Sequence, residues 1–426
     1  MKKIFKTNVN KLLKKILIIL LFGLIFSPFF VDADDITVLH SFDKGDSNGS
    51  DPQHFTIYNG IMYGVASNGG YGNGLIFSID VSDTSTFSVM YPFPASGLIS
   101  GNVPWGDIII SDNIMYGTTL GGGRYDDGVV FSMDITDTST FSLLHEFETS
   151  NPGSNVYSGL LQIDNTLYGM TSRGGDSNVG EIFSISTTGS NFTTLFSFTD
   201  GSGSSDTGNS PWGGPLTFVN DKLYGMTKDE GPGGYGTLFS IDTDGNNFDV
   251  VHSFSGGADD GANPYDSLTY YDGKLYGMTK YGGDSNFGVI FSMNTDGTGF
   301  SLLFEFEEYN GENPEDNMIL SVDGDTLYGM TRYGGGSDRG VLFSINRDGT
   351  DFSLLHEWVD NNYPRGNNLM FYNDILYGIT RGGGAYGDGI IFEYNPTGDP
   401  IPEPSTIILV LLSFIGLIGK HFFKKK

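Results

Sequence analysis

Residues 275–306 read LYGMTKYGGDSNFGVIFSMNTDGTGFSLLFEF, and close variants of this stretch recur along the whole chain. The repeat is easiest to follow by its Tyr-Gly pair, which returns every 49 to 56 residues. The seven tyrosines of these pairs are Tyr63, Tyr116, Tyr168, Tyr224, Tyr276, Tyr328 and Tyr377. A period of this length indicates one small supersecondary unit used many times, in an open solenoid or in a closed propeller.

Each repeat contains four short runs of aromatic and aliphatic residues, separated by Gly, Asn and Asp. In the fifth repeat these runs are Ser267–Tyr271, Lys274–Thr279, Val289–Met293 and Phe300–Phe306. No window shows a sustained helical period, so the unit is predicted to be all β. Pairs such as Asp272-Gly273 and Asp296-Gly297 suit tight hairpin turns after the first and third runs. The unit is therefore predicted to be a four-stranded antiparallel meander, which is the blade of a propeller.

The two ends of the repeat region complement each other. The seventh repeat has only three runs, and the chain begins with an extra one, Ile36–Phe42, which reads ITVLHSF and resembles FSLLHEF at residues 141–147. Closing a ring with this strand would remove two open sheet edges. We therefore predict an all-β fold, a seven-bladed β-propeller over residues 34–397 whose last blade is closed by the N-terminal strand. The alternative, an open solenoid, has no need for a displaced strand at its far end.

The motif LYG-T-x-GG…GxxF…FxxL-x-x-F, carried by about residues 36 to 395, resembles the GloVer tandem-repeat family. The resemblance implies a propeller-like architecture. It brings no catalytic residues that can be transferred to this chain.

The N-terminus has the three parts of a secretory signal peptide. Six lysines are followed by the apolar run Ile16–Phe30 and by Val31-Asp32-Ala33. Small or aliphatic residues at these last positions predict cleavage after Ala33, so that residues 1–33 are removed. The alternative is an uncleaved anchor, but the apolar run is shorter than the ~20 residues that a spanning helix needs.

The C-terminus resembles a PEP-CTERM sorting signal. Pro402, Glu403 and Pro404 lie in a linker over residues 398–406, and a transmembrane sorting segment with a basic tail follows over residues 407–426. The resemblance implies that the secretion machinery and exosortase are partners, in a bacterium that makes exopolysaccharide. It also implies transient anchoring in the inner membrane and a final place at the cell surface, in the outer envelope or in the extracellular matrix. An ordinary tail anchor is the alternative.

Charge is distributed unevenly between the ends and the body. The chain has 22 Lys and Arg against 51 Asp and Glu, and ten of the cations but only two of the acids lie outside residues 34–400. The body therefore keeps 12 cations against 49 acids, a net charge of −37. Such a surface repels nucleic acids and anionic lipids, so we predict no nucleic-acid partner and membrane contact only through the termini. It suits neutral sugars, cations or solubility alone.

In an up-and-down meander, the second-to-third loops and the blade-to-blade loops lie on one face of the disc, here called the variable face. These loops are long, Gly-rich and different from blade to blade, and binding residues usually lie on such loops. Exposed aromatic rings offer sugars an apolar face, with Asp and Asn nearby for their hydroxyls. The predicted ligand-binding residues are Trp105, Trp212, Tyr71, Tyr125, Tyr235, Tyr281, Tyr333 and Tyr386.

The alternative for these rings is packing between neighbouring blades, which we predict for the LYG tyrosines and for Trp358. A structural role is also predicted for the histidines that share one fourth-strand position with Tyr and Phe, whereas His54 is isolated in the sequence. The histidines at the shared position are His40, His145, His252 and His356.

No Ser-His-Asp constellation, Cys nucleophile or metal-ligand spacing is present, so we predict no catalytic residues and no cofactor. Two loops carry acids suited to Ca²⁺, namely Asp43, Asp46 and Asp51 in one and Asp259, Asp260 and Asp266 in the other. If an enzyme site exists, the first suspects are Glu307, Glu308, Glu312, Glu315 and Asp316. The favoured function is non-catalytic binding of a glycan, such as exopolysaccharide, or of a matrix protein, or a structural role. A glycan hydrolase or lyase and a Ca²⁺-dependent adhesin are the alternatives.

Overall fold

The computed structural model of the 426-residue chain describes residues 36–45, 48–94, 101–148, 153–199, 207–359, 364 and 368–397. The predicted signal peptide with Ala33, the linker with Pro402, Glu403 and Pro404, and the C-terminal sorting segment lie outside these residues. Regular structure in the described ranges is entirely β. They contain no helix that is long and apolar enough to cross a membrane.

The described residues form thirty strands, which pair into seven antiparallel sheets. The first strand is β1 (Ile36–Ser41). Blade 1 is formed by β2 (Ser50–Tyr58), β3 (Ile61–Asn68), β4 (Leu75–Asp80) and β5 (Asp83–Pro92). Blade 2 is formed by β6 (Gly101–Pro104), β7 (Ile109–Ser111), β8 (Ile114–Gly122), β9 (Val129–Asp134) and β10 (Asp137–Glu146). Blade 3 is formed by β11 (Leu161–Ile163), β12 (Thr166–Thr171), β13 (Glu181–Ser186) and β14 (Thr193–Ser197).

The remaining four sheets follow the same plan. Blade 4 is formed by β15 (Thr217–Val219), β16 (Lys222–Thr227), β17 (Thr237–Asp242) and β18 (Asp249–Ser253). Blade 5 is formed by β19 (Gly261–Pro264), β20 (Thr269–Tyr271), β21 (Lys274–Gly282), β22 (Val289–Asn294) and β23 (Ser301–Glu305). Blade 6 is formed by β24 (Ile319–Leu320), β25 (Thr326–Met330), β26 (Val341–Asn346) and β27 (Ser353–Glu357). Blade 7 is formed by β28 (Leu369–Tyr372), β29 (Ile375–Thr380), β30 (Ile390–Tyr394) and β1.

The N-terminal strand completes the last blade, as predicted. β1 runs antiparallel to β30, with Ile36 opposite Tyr394 and Ser41 opposite Ile390. The ring of the seven-bladed propeller is therefore closed by hydrogen bonds between the two ends of the described chain. The first strands of neighbouring blades contact each other, which places them around the central axis, and the fourth strands form the outer edge.

Two of the predicted blade-to-blade loops contain short strands. β6 pairs with the extended end of β8, with Gly101 opposite Gly122, and β19 pairs in the same way with β21. These stretches were predicted as long, Gly-rich loops, and the structure corrects this, because the second strands continue beyond their LYG motif and offer backbone groups to pair with. Each short strand ends in a proline and lies at the sheet edge, where proline is tolerated.

The glycine of each LYG motif is required for space. The ring of the third-strand Phe lies against it, so a Cβ on Gly277 would come within 2.6 Å of Cζ of Phe291, and the same contact recurs in the other blades. The LYG tyrosines that precede these glycines are 3% to 9% exposed. Their predicted role in packing is therefore confirmed, and the motif is explained by the layer of side chains between blades.

A second layer of rings joins the outer strands of neighbouring blades. His40 stacks on Phe87 with 3.8 Å between ring centres, His145 stacks on Phe192, and His252 stacks on Phe300. In other blades Tyr91, Phe196 and Phe304 make the same stacking contact. The predicted structural role of this position is confirmed. Trp358 is 1% exposed and packs edge-on against Phe392 of the next blade, as predicted.

Candidate functional site

In blades 1 to 6 a side chain close to the start of the innermost strand lies near the central axis on the variable face, here called the rim position. A proline precedes this position in five of these blades, and Val156 takes its place in the third. In blades 1 to 6 the rim residues are Gln53, Trp105, Tyr157, Trp212, Tyr265 and Glu315.

Four of the rim residues form a continuous row of rings across blades 2 to 5, the aromatic row. Trp105 meets Tyr157 edge-on with 5.6 Å between ring centres, and Tyr157 stacks on Trp212 at 3.8 Å. Trp212 then meets Tyr265 at 6.0 Å and an angle of 53°. All four side chains are half-buried. The row therefore packs its rings against each other and still keeps aromatic surface open to solvent.

Four cations surround this row, and we call them the rim cations: Lys228, Lys280, Arg332 and Arg381. Each follows the threonine that ends its LYG motif, and the second strand brings it to the variable face beside the axis. Nζ of Lys228 lies 5.2 Å from the ring centre of Trp212 and 5.5 Å from that of Tyr265. The guanidinium of Arg381 reaches across blade 1 and lies 4.5 Å from the ring centre of Trp105. These distances are within the range of cation–π attraction.

Carboxylates hold three of the rim cations in place. Glu315, which is 7% exposed, accepts hydrogen bonds from Nη1 of Arg332 at 3.0 and 2.9 Å and lies 2.6 Å from Nζ of Lys280. Asp51 accepts hydrogen bonds from Arg381 at 2.6 and 3.0 Å. Lys228 differs, because its contact with Asp229 measures 3.9 Å and is too long for a hydrogen bond.

Polar groups lie beneath the row at the axis and form the axial cluster of His54, Asp107, Asp266 and Asn368. Nδ1 of His54 is 2.6 Å from Oδ1 of Asp107, which also accepts a hydrogen bond from Asn368. Burial, followed by the charge of Asp107, raises the pKa of Asp266 to about 6. Burial alone would lower the pKa of His54, but the charges of Asp107 and Asp266 raise it above its usual value.

Two glycines let the aromatic row and the axial cluster pack closely between blades 4 and 5. A Cβ on Gly213 would lie 1.9 Å from the backbone oxygen of Tyr265, and one on Gly214 would lie 1.9 Å from Oδ1 of Asp266. No side chain fits in either place. The glycines that follow Trp212 are therefore part of the construction of the site.

The structure brings together only some of the predicted ligand-binding residues. Trp105 and Trp212 belong to the aromatic row. The ring centre of Tyr281 lies 5.4 Å from Nζ of Lys280, and that of Tyr333 lies 5.0 Å from Cζ of Arg332. The other four are in the second-to-third loops and are more exposed, at 46% to 65% of their surface. These four are Tyr71, Tyr125, Tyr235 and Tyr386.

Tyr157 and Tyr265, which connect the two tryptophans into the row, were missed in the sequence. They lie at the same offset from the preceding Pro or Val as Trp105 and Trp212, and this offset was the signal that could have identified them. His54 was also described as isolated, and the structure pairs it with Asp107, 53 residues along the chain. At its position in the repeat other blades have Gly106, Gly213 or Asp266, so His54 departs from the repeat pattern.

The acids proposed for catalysis or Ca²⁺ lie in different surroundings. Glu315 is bound by two cations, whereas Glu307 and Glu308 are exposed. Asp260 accepts hydrogen bonds from Ser255 and lies 3.1 Å from Nε2 of His252, and Asp46 is not among the described residues. Among the residues that the structure describes, no group of three or more His, Asp or Glu side chains is placed to hold a metal ion.

Two consecutive stretches, residues 22–210 and 211–401, match the sequence profile of the Gloeobacter/Verrucomicrobia repeat. No curated protein sequence matches the chain significantly. Among solved structures, it is similar to an oligogalacturonate lyase in complex with manganese, with 11% identity, a TM-score of 0.51 and coverage of 84% of this chain and 92% of that one. It is also similar to a Mycobacterium tuberculosis puromycin-hydrolyzing peptidase, with 13% identity, a TM-score of 0.53 and coverage of 82% and 52%. At these identities the likeness concerns the fold alone.

Proposed function

The protein belongs to the Gloeobacter/Verrucomicrobia repeat family, and from this premise we propose that it is an exported, non-catalytic propeller that binds a glycan on its variable face. The observation that carries the proposal is the aromatic row from Trp105 to Tyr265. Aromatic rings that are only half-buried offer apolar surface that suits the apolar faces of sugar rings. The rigid blades beneath the row hold it in position before any ligand arrives, which reduces the entropy cost of binding.

The test is retention of the host's own exopolysaccharide by the full-length chain, purified in a mild detergent. Tyr157→Ala interrupts the row at its centre and is expected to weaken binding about tenfold or more, as removal of a central aromatic contact usually does. Tyr386→Ala, which removes an equally large but exposed loop ring, is the matched control and is expected to change binding less than twofold. If Tyr386→Ala abolishes retention and Tyr157→Ala does not, the loop tyrosines form the site and the row does not.

The axial cluster favours glycan cleavage as a second candidate function. A carboxyl group with a pKa of about 6, Asp266, lies near a His–Asp pair beneath the aromatic row, and such a group suits general acid catalysis. Release of new chain ends in the same retention experiment would favour this candidate, especially if Asp266→Asn stops the release without preventing retention. Retention that disappears in a chelator would instead favour the Ca²⁺-dependent adhesin.

Export and sorting are proposed from the terminal segments, which lie outside the described residues. Cleavage after Ala33 would release the N-terminus, and recognition of Pro402, Glu403 and Pro404 by exosortase would place the propeller at the cell surface, in the outer envelope or in the matrix. Deleting residues 401–426 in the host is expected to change both the location and the processed mass of the protein. Fractionation and mass spectrometry measure the two, and an unchanged location and mass would exclude the sorting role.

A further inference from the structure

We propose that the glycan held by the aromatic row is acidic, and that Lys228 and Lys280 bind carboxylates attached to its sugar rings. This inference rests on the proposed glycan-binding function and names the chemistry of its ligand. The body of the chain has a net charge of −37, from which neutral ligands would be expected. Yet four of its 12 cations are the rim cations, gathered around a single row of rings.

On the side of blades 5 and 6, two rim cations share a single carboxylate. Lys280 and Arg332 share the carboxylate of Glu315, so the three side chains together carry a formal charge of +1. Glu315 is buried, and its contacts hold both cations beside the same carboxylate. An anion arriving there meets a site whose positive groups are already in position.

Lys228 provides hydrogen-bond donors that no carboxylate among the described residues occupies. Its only carboxylate contact in this part of the structure is the 3.9 Å approach to Asp229, and its side chain is 28% exposed. An ammonium group has three donors, and a ligand carboxylate close to it would gain short, charge-assisted hydrogen bonds. Lys228 is thus the rim cation best placed to meet a ligand.

The placement of the cations beside the rings matches a sugar that carries its own carboxylate. Lys228 lies next to both Trp212 and Tyr265, and Lys280 lies next to Tyr265 and Tyr281. A sugar ring that stacks on Trp212 or Tyr265 would therefore bring a carboxylate attached to that ring within reach of one of the two ammonium groups. A neutral sugar would use the rings and leave the cations without a partner.

The experiment compares acidic polymers with their own neutral forms. The probes are polygalacturonate and alginate, each with and without full methyl esterification, tested with EDTA present and with the full-length chain in mild detergent. Esterification removes the charge and keeps the sugar rings, so charge recognition and stacking are separated. The chain is expected to bind at least one acidic form about tenfold more tightly than its ester, and this preference is expected to weaken as salt is raised because salt screens exposed charges.

Lys228→Gln is expected to reduce the preference for the acidic form to less than about threefold, whereas Lys228→Arg is expected to keep most of it. Lys274→Gln is the matched control. Lys274 is an exposed lysine that begins β21, at the opposite end of this strand from Lys280. The substitution is expected to leave the preference for the acidic form unchanged. Thermal melts of all variants report whether the fold is intact.

Three results would overturn the inference. The first is equal binding of the acidic and the esterified polymers. The second is a Lys274→Gln variant that lowers the preference for the acidic form as much as Lys228→Gln does. The third is binding of polyuridylate as tight as that of the acidic glycans, which would indicate non-specific attraction of anions. In each case the proposed function would still be supported if the chain retains the host exopolysaccharide and Tyr157→Ala weakens this retention. Loss of retention of every glycan would instead contradict the proposed function itself.

Discussion

A propeller that begins at Asp43 instead of Asp34 is expected to be severely destabilised, because it lacks β1 and with it the closure of the ring. Phe42 is fully buried at the junction of blades 7 and 1, with its ring 5.3 Å from that of Phe77. Loss of one buried Phe side chain alone typically costs about 3–5 kcal/mol. The truncation also leaves β30 as an open edge, since β1 is its outer partner. We therefore expect a decrease of at least about 4 kcal/mol in the free energy of unfolding.

Denaturant unfolding of residues 34–400 and 43–400, followed by circular dichroism, measures this effect. A synthetic peptide of residues 34–44 added to the truncated chain is expected to restore part of the stability, because it can occupy the empty edge of blade 7. If the truncated chain does not fold, the variant Phe42→Ala tests a smaller part of the same effect, since it removes only the buried ring that follows β1 and keeps the strand. Identical unfolding curves for the two chains would show that β1 does not carry the closure.

Replacing Glu181 is expected to stabilise the protein at neutral and alkaline pH. Glu181 begins β13 at a position where other blades have Val129, Val289 or Val341, and its side chain is fully buried. Its Oε2 accepts one hydrogen bond, from Thr194 at 3.2 Å, while its Oε1 has no hydrogen-bond partner among the described residues. Burial, and secondarily the charge of Asp176, raises the pKa of this carboxyl to about 7.

The direction of the pH dependence follows from this raised pKa. Well below pH 4.5 the carboxyl is protonated in both the folded and the unfolded state, so the fold is at its most stable with respect to this group. As the pH rises towards 7, the unfolded state ionises first and the stability of the fold decreases. Well above pH 7 the loss is complete, and it amounts to roughly 3 kcal/mol.

Glu181→Val and Glu181→Gln both remove this titration. At pH 8 we expect Glu181→Val to raise the free energy of unfolding by roughly 3 kcal/mol relative to the parent chain, with little difference near pH 4.5. Asp266 has a pKa raised to about 6 and affects stability in the same direction, so the difference between variant and parent is compared at each pH. A difference that does not change between pH 4.5 and pH 8 would contradict the assigned titration.

The fold was predictable because the same local pattern is repeated seven times. Asp-Gly and Asn-Gly pairs specify tight turns wherever they occur, and the predicted strand Val289–Met293 differs from β22 (Val289–Asn294) by one residue. Closure was predictable too, since a seventh repeat with three strands and an extra strand at the start leave one simple solution. The pairing of β6, of β19 and of the start of β2 inside supposed loops was missed, because Gly-rich segments without alternating side chains show no strand pattern.

The candidate site was predictable only in part. Trp105 and Trp212 are conspicuous because tryptophan is rare in this chain and both lie in a PWG sequence. Tyr157 and Tyr265 occupy the equivalent position within NVYSG and NPYDS. They are hard to single out in the sequence because the chain has many other tyrosines in its loops. Net charge carried no information about the position of the four cations around the axis, since it averages over the whole surface.

The sequence by itself determined the number of blades, the order of their strands and the way in which the ring closes. These features depend on local propensity, turn chemistry and the repeat length, which are all contained in short stretches of chain. Only the tertiary structure decided that rings and cations from six blades meet in one place, and that His54 lies against Asp107. Those neighbours are set by the closure of the ring, which brings together side chains about fifty or more residues apart that no local pattern connects.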